Sequence, residues 1–504
     1  MMSRILQFFK LYRTAGLWGL FSGVLVGTSW IPFSPWALFF CYVPLWYFTL
    51  KKANSPKEIL FAGWVAQFVL TLIGFHWLIY TAHEYGYMPW AFSFFILLVF
   101  AAGMHIYVPL ALLGAVALGK KFSLSKGAML LLFAGLMSLL EQNWPSIFAW
   151  NLGYPLIWVQ SPLAQWADVV GFAGLSFGIY LINALVTWLL LRRERLLTLG
   201  SLLVMGGLLA LLVWGGQQKK LKWSKTDSEL KVLLVQANIG NAEKIFAEQG
   251  RGYQQSIINQ FFELTQQGLR AHPEAQLIVW PESAFPDILD DFAMGRNYPA
   301  QFRYFVQSIK KPILTGAYSK DPPGKPFRDD YNSVFLMDEN GRLLSEPYHK
   351  TQLLIFGEYI PFGREFPLLA KLNPGGIGWG RGQGPMVMPF GEDKIGVQIC
   401  YESLDPHFSA ELAKKGATLL VNVTNDSWFG PSFEPQQHLF MTLARAVETR
   451  RPLIRSTNTG VSSVILADGT VLERSPLFEK WQGQYDVKFQ KNPELSFHSR
   501  FGSW

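Results

Sequence analysis

Two cysteines in 504 residues exclude a disulfide framework. Charge is scarce too: Asp, Glu, Lys and Arg make up 16% of the chain against 50% hydrophobic residues, and mean hydropathy is positive. Such a composition is unusual in a soluble protein and ordinary in an integral membrane one. The formal net charge of +8 does not mark a nucleic-acid face, because 15 of the 44 Lys/Arg and only 5 of the 36 Asp/Glu precede Lys225. Those basic residues lie between hydrophobic segments, and the remainder of the chain is near neutral. The length indicates more than one domain.

Apolar runs place seven spans near 15–31, 35–50, 59–80, 91–118, 127–143, 168–191 and 198–215. Each is long enough, or nearly so, to cross about 30 Å of hydrocarbon as a helix. The 35–50 span is short and contains Pro44, so it is read as tilted, kinked or re-entrant. Residues 1–216 thus form a transmembrane helical domain, followed by a linker at 217–228. The first span is not a cleaved signal peptide, since six more follow it. Orientation comes from Lys and Arg. Arg4, Lys10 and Arg13, then Lys51, Lys52 and Lys57, then Lys120, Lys121 and Lys126, then Arg192, Arg193 and Arg195 occupy the N-terminus and every second loop, while 81–90 and 144–167 contain none. The N-terminus is therefore expected in the cytoplasm and everything after Gly216 outside. Lys219, Lys220, Lys222 and Lys225 run against the rule, which long translocated domains tolerate.

Within this half, Cys41 reads as a small buried hydrophobe in "WALFFCYVPLWYF". Glu141 and Asp168, at span ends, fit either water at the interface or an outward cavity. His76 and His105 lack a carboxylate at ligand spacing and read as packing or hydrogen-bonding groups rather than metal ligands. The aromatic loop 151–171 fits a position on the bilayer surface, with Trp158 and Trp166 at headgroup depth, or a lid.

From Glu229 the pattern changes. Strand runs recur at 231–239, 275–283, 311–318, 394–402, 417–426 and 451–466. Hairpins turn at Glu339–Gly341 and at 467–470, and helices fall near 249–270, 406–415 and 434–450. This alternation indicates a layered α/β domain over 229–490, with a tail at 491–504. The glycine-rich 373–386 lacks phosphate-loop and dinucleotide spacing and reads as a mobile loop.

Cys400, in "VQICYES", is a lone thiol at the end of a buried-looking strand. A thiol becomes a nucleophile only as thiolate and needs a base or a cation nearby. Other strand ends supply both: Glu282 in "LIVWPES" as base and Lys350 in "YHKTQLLIFGEYIPFG" as cation. A carboxylate in an apolar pocket can take the thiol proton, and the ammonium can stabilise a tetrahedral oxyanion. The Tyr401 N–H is a second candidate donor, Glu358 a partner that keeps Lys350 charged, and Glu402 lies two residues beyond the thiol. The same residues also fit a plainer account, as surface groups at strand ends.

"WPES", "HK…FGEYIPFG" and "QICYE" occur in the order and context of the nitrilase superfamily Glu-Lys-Cys triad. The chain as a whole resembles the apolipoprotein N-acyltransferases, through "VQANI", "NVTNDSWFG", "QHL", "RAVETRRPLIRSTNTGVS" and the membrane segment "PLAQWADVVGFAGLSF". The resemblance implies a four-layer αββα nitrilase-like sandwich on a multi-pass helical bundle in the bacterial inner membrane, with the catalytic domain on the periplasmic side. It implies Glu282 as general base, Lys350 as intermediate stabiliser and Cys400 as nucleophile, with Glu358, Tyr401 and Glu402 around them. The implied reaction moves the sn-1 acyl chain of a phospholipid, typically phosphatidylethanolamine, through a thioester to the α-amino group of an S-diacylglyceryl-cysteine on an apolipoprotein. No cofactor or metal is implied, and a monomer is expected. Two departures stand out. No apolar run follows the catalytic domain, which leaves the tail outside with Phe497, Phe501 and Trp504 resting on the membrane. And "GNAEKIF" offers Phe246 or Ile245 where the family often has Trp. The rival readings are a membrane-tethered amidase acting on a small amide or nitrile, and a non-enzymatic transporter or scaffold with a degenerate domain, which should have lost a triad residue.

Overall fold

A computed structural model describes residues 2–84, 86–192, 195–248, 250–321, 329–355, 357–359, 362, 366 and 379–502, without the side chains of 2–11, 195–199 and 248. Residues 373–378 of the glycine-rich stretch, Phe356 of "LLIF" and Trp504 lie outside this set. The chain divides into two compact units, Met1–Gln218 and Lys219–Trp504.

The first unit is helical. Among the described residues, four stretches are long and apolar enough to cross a membrane: Pro56–Phe75, Trp90–Lys121, Pro162–Leu191 and Gly200–Trp223. Ser55 starts the first by accepting the Glu58 N–H, with Pro56 in the first turn. Close helix approach rests on small residues: a Cβ at Gly19 or Gly23 of Met2–Gly27 would sit 2.2 Å from the Ala62 carbonyl or 2.6 Å from that of Ala66.

Three expected spans differ in detail. The 35–50 run is turns followed by the nine-residue helix Val43–Lys51, about 13 Å long and too short to span. The 59–80 run breaks after Phe75 and resumes at Leu78, and 91–118 is two helices, Trp90–Gly103 and Tyr107–Lys121. Hydropathy continues across both breaks, so composition does not reveal them. His105 lies in the second break and pairs its Nδ1 with Thr71 Oγ1 at 2.8 Å, while His76 Nδ1 meets the Ile73 carbonyl at 3.0 Å. Glu141 does not sit in water at the interface. It is buried, and its Oε2 accepts the Tyr180 hydroxyl at 2.7 Å. Asp168 is buried as well. The 151–157 part of the aromatic loop is packed into the unit rather than free as a lid, and Trp166 donates its indole N–H to the Leu212 carbonyl.

The last of these helices runs unbroken from Arg195 through Trp223, so the first residues of the expected linker are helical. Among the described residues, the second unit holds two sheets. The six-stranded sheet has the order β11-β1-β2-β3-β4-β5, with β1 Ser228–Gln236, β2 Leu277–Val279, β3 Ile313–Lys320, β4 Asp330–Met337, β5 Tyr348–His349 and β11 Trp481–Phe489. The five-stranded sheet has the order β10-β9-β8-β7-β6, with β6 Val387–Phe390, β7 Asp393–Ile399, β8 Leu419–Thr424, β9 Leu453–Thr457 and β10 Ser463–Ile465. β1, β2 and β3 are mutually parallel, as are β7, β8 and β9. Such strands are covered on both faces and read as continuous apolar runs. Helices Gln254–Ala271 and Asn297–Ile309 cover the first sheet through Ile258, Phe261, Trp280, Phe302 and Phe305. Helices Pro406–Lys414 and Glu434–Thr449 cover the second. The inner faces meet, with Ser456 of β9 donating to the Val279 carbonyl of β2 and Thr457 to Gln236 of β1. The result is the expected αββα sandwich. The C-terminal helix Phe497–Phe501 leaves Phe497 and Phe501 exposed and touching at 4.9 Å between centroids.

Candidate active site

Parallel strands open their carboxyl ends to one edge, and the chain turns there. Glu282 follows β2, Lys350 follows β5 and Cys400 follows β7. Each is buried: Glu282 is 5% exposed, Lys350 2% and Cys400 8%.

Lys350 is the hub. Its Nζ lies 3.2 Å from Glu282 Oε1 and 2.7 Å from Glu358 Oε1. Burial alone would discharge the ammonium, but the two carboxylates more than offset it and hold Lys350 well above the usual lysine range. Asn332 of β4 donates Nδ2 to Glu282 Oε1 at 2.7 Å and to Glu358 Oε1 at 3.4 Å. The Asn425 backbone N–H, just after β8, donates to Glu282 Oε2 at 2.9 Å, and the Leu354 N–H to Glu358 Oε2 at 2.8 Å. Every carboxylate oxygen of this pair therefore has a partner, as burial requires.

Cys400 sits at φ +53°, a left-handed conformation costly for a residue with a Cβ. It occupies a sharp turn from β7 into a short helical turn. Its carbonyl accepts from Asn422 Nδ2 at 3.1 Å and Ser403 Oγ at 2.9 Å. Burial, then the Glu282 charge, push the thiol well above its usual range, and Lys350 pulls it down. The thiol thus feels both charges of the pair and rests protonated until a base takes the proton.

Glu402 clamps this turn. Its Oε2 accepts the Ile399 N–H at 2.8 Å, and its Oε1 accepts the Tyr348 hydroxyl at 2.7 Å and the Thr351 and Gln352 N–H groups at 2.6 and 3.1 Å. One carboxylate thereby ties the Cys400 turn to the segment carrying Lys350. Burial still pushes it up to about 7. The Tyr401 ring turns away, toward Glu434 and His438.

A thiol, a carboxylate and a fixed ammonium, all buried, suit acyl transfer through a covalent intermediate. Residues 231–490 match the carbon-nitrogen hydrolase family, and 22–185 match the apolipoprotein N-acyltransferase N-terminal domain. The apolipoprotein N-acyltransferase of Bdellovibrio bacteriovorus is 50% identical over all of this chain and 93% of its own length. The chain belongs to the apolipoprotein N-acyltransferase family. More distant members of the family align along the chain as well. The enzyme so named from Azotobacter vinelandii is 32% identical over 92% of this chain and 87% of its own, and that from Geobacter metallireducens 29% over 99% and 94%. Among solved structures, a carbon-nitrogen hydrolase from Helicobacter pylori aligns at 16% identity and a TM-score of 0.37, covering 52% of this chain and 89% of that one.

Of the residues the motifs singled out, Glu282, Lys350 and Glu358 converge directly, and Cys400 lies within their field. Tyr401 and Glu402 act around them rather than among them. At the position where this family often carries Trp, Ile245 is half-buried, and Phe246 is exposed and stacked on Tyr253. Sequence reasoning missed four contributors. Asn332 and Asn425 orient the carboxylates. Lys244 donates its Nζ to the Glu282 carbonyl at 3.1 Å. Gly316 of β3 lets the Glu282 segment approach, since a Cβ there would lie 2.6 Å from Glu282 Cα and 2.5 Å from the Ser283 nitrogen. The asparagine within "YNSVF", pointing from a strand interior, was the available signal for Asn332.

Proposed function

We propose that the chain N-acylates apolipoproteins by a two-step transfer through Cys400. The observation that carries this reading is the buried Lys350 ammonium held between Glu282 and Glu358, with the buried Cys400 thiol in the electrostatic field of both charges. Glu282 takes the Cys400 proton, and the thiolate attacks the sn-1 ester carbonyl of a phospholipid, phosphatidylethanolamine in the first instance. Lys350 Nζ and the Tyr401 N–H stabilise the oxyanion. The intermediate collapses by breaking the ester C–O bond. Lysophospholipid leaves with the proton returned by Glu282, and Cys400 carries the acyl chain as a thioester. The free α-amino group of an S-diacylglyceryl-cysteine then attacks that carbonyl and gives its proton to Glu282. The C–S bond breaks, an amide forms and the thiol is restored. The thioester carries the activation, so this scheme uses no cofactor.

Residues 1–216 anchor the protein in the inner membrane. The Lys/Arg distribution supports a cytoplasmic N-terminus and a periplasmic domain at 229–490. The protein acts as a monomer. The test is to incubate it with phosphatidylethanolamine and an S-diacylglyceryl lipopeptide bearing a free N-terminus. One acyl chain should be gained per lysophospholipid released, and an N-acetylated lipopeptide should gain none. Release of free fatty acid with no acylated peptide would instead mark a hydrolase of the small-amide type.

A further inference from the structure

Behind Cys400 lies a buried polar cluster that the proposed reaction does not use. Asp426 Oδ1 meets His438 Nδ1 at 2.9 Å, and Asp426 Oδ2 pairs with Arg455 Nη2 at 2.8 Å. Arg455 Nη1 donates to Asn422 Oδ1 at 2.5 Å, and Asn422 in turn holds the Cys400 carbonyl. His438 stacks on Tyr401 at 4.5 Å, and the Tyr401 hydroxyl donates to Glu434 Oε1 at 2.5 Å. The contacts form a ring that starts and ends at the Cys400–Tyr401 peptide. Asp426, Glu434 and His438 are grouped closely enough to suggest a metal site. Arg455 already serves as the cation there, however, and both Asp426 oxygens are engaged.

We infer that Glu434 is a positioning residue for acyl transfer, acting through the Tyr401 ring to fix the peptide whose N–H is the proposed oxyanion donor; this rests on the reading of Cys400 as acyl carrier. The peptide plane has two anchors. Its oxygen is held by Asn422 and Ser403. Its far side follows the Tyr401 ring, which is clamped by His438 on its face, Phe429 on its edge and Glu434 at its hydroxyl. Cys400 at φ +53° gives the turn no help from backbone preference, so side-chain anchors must hold it. Glu434 is 1% exposed, heads the helix Glu434–Thr449, and its Oε2 has no partner among the described residues. Burial and the neighbouring Asp426 charge push its carboxyl well above the usual range, while Arg455 is committed to Asp426. Glu434 Oε1 is thus the acceptor that anchors the Tyr401 hydroxyl.

The test is single-turnover acylation of Cys400 from phosphatidylethanolamine micelles, followed by intact mass spectrometry. Glu434→Ala should slow the maximal acylation rate about 10- to 100-fold, the effect of loosening one oxyanion donor, while leaving the half-saturating phospholipid concentration unchanged. Glu434→Gln, neutral and still an acceptor, should recover most of the rate. Tyr401→Phe keeps the ring and removes only the hydroxyl. It should reproduce the Glu434→Ala loss, and the double variant should be no slower than either single one. A wild-type rate in Tyr401→Phe, losses that multiply, or Glu434→Gln as slow as Glu434→Ala would overturn the positioning role. If the wild type acylates Cys400 and folded Glu434→Ala matches it, only this inference falls. If the wild type takes up no acyl chain at all, the reading of Cys400 falls with it.

Discussion

Replacing Lys350 by methionine separates stability from catalysis at the hub of the site. The substitution keeps length and removes one charge. It leaves Glu282 Oε1 and Glu358 Oε1, now 3.2 and 2.7 Å from the same ammonium, facing each other in a pocket where both are less than a tenth exposed. Removing one partner of a buried ion pair costs about 3–5 kcal/mol, because the remaining charge is stranded. For a unit of this size that is a fall of roughly 6–20 °C in Tm. Two like charges so close repel strongly, so the loss of stability is concentrated on this carboxylate pair. Adding Glu358→Gln removes the repulsion and should restore roughly half of the lost stability. Acyl transfer should fall about 100- to 1000-fold in Lys350→Met and stay low in the double variant, since the oxyanion cation is still missing. Thermal unfolding in detergent, followed in parallel with the acylation rate, reads both. A Lys350→Met protein as stable as wild type, or a double variant no more stable than the single one, would refute the argument that Lys350 neutralises two buried carboxylates.

Other consequences follow from the same geometry. Asn332→Ala should leave Glu282 and Glu358 each one donor short and slow acylation about tenfold, read as a lower maximal rate at unchanged phospholipid half-saturation. Because burial and Glu282 hold the Cys400 thiol up, its alkylation by iodoacetamide should keep climbing with pH past the usual thiol range of about 8.5, where an unperturbed cysteine levels off. Gly316→Ala should force the Glu282 segment off β3, and both the Tm and the acylation rate should fall. Cys41→Ala, far in sequence and fully buried among apolar residues, should leave the acylation rate unchanged.

Much of the second unit was legible because parallel strands, covered on both faces, leave near-continuous apolar runs such as "KVLLVQANI" and "ATLLVNVTND". The half-exposed strand β11 was missed even though Tyr485, Val487 and Phe489 alternate with exposed Asp486 and Lys488. That period of two sits inside a polar stretch and is weak on its own. Helix Asn297–Ile309 was missed for a similar reason, its Phe302, Phe305 and Val306 being diluted by Arg, Gln and Tyr. At the site, the thiol, the ammonium and the carboxylates were legible as motif residues. Asn332, Asn425 and Lys244 were not, since their roles depend on which strand ends meet in space. Glu434 carried no signal at all, because its partner Tyr401 lies 33 residues away and their contact depends on how the helix seats on β9 and β10. In the first unit, hydropathy located the apolar stretches but not the breaks at 76–77 and 104–106, where backbone turns interrupt helices of unchanged composition.

The claim on which the rest depends is that Cys400 carries the acyl chain. Peptide mass spectrometry of the purified protein after exposure to phosphatidylethanolamine tests it most directly. The account predicts an added acyl group on the Cys400 peptide that hydroxylamine removes, that is absent in Cys400→Ala, and that disappears when a diacylglyceryl lipopeptide is added and becomes N-acylated. N-acylated lipopeptide formed by Cys400→Ala, or an acyl group found on another residue while Cys400 stays free, would contradict it.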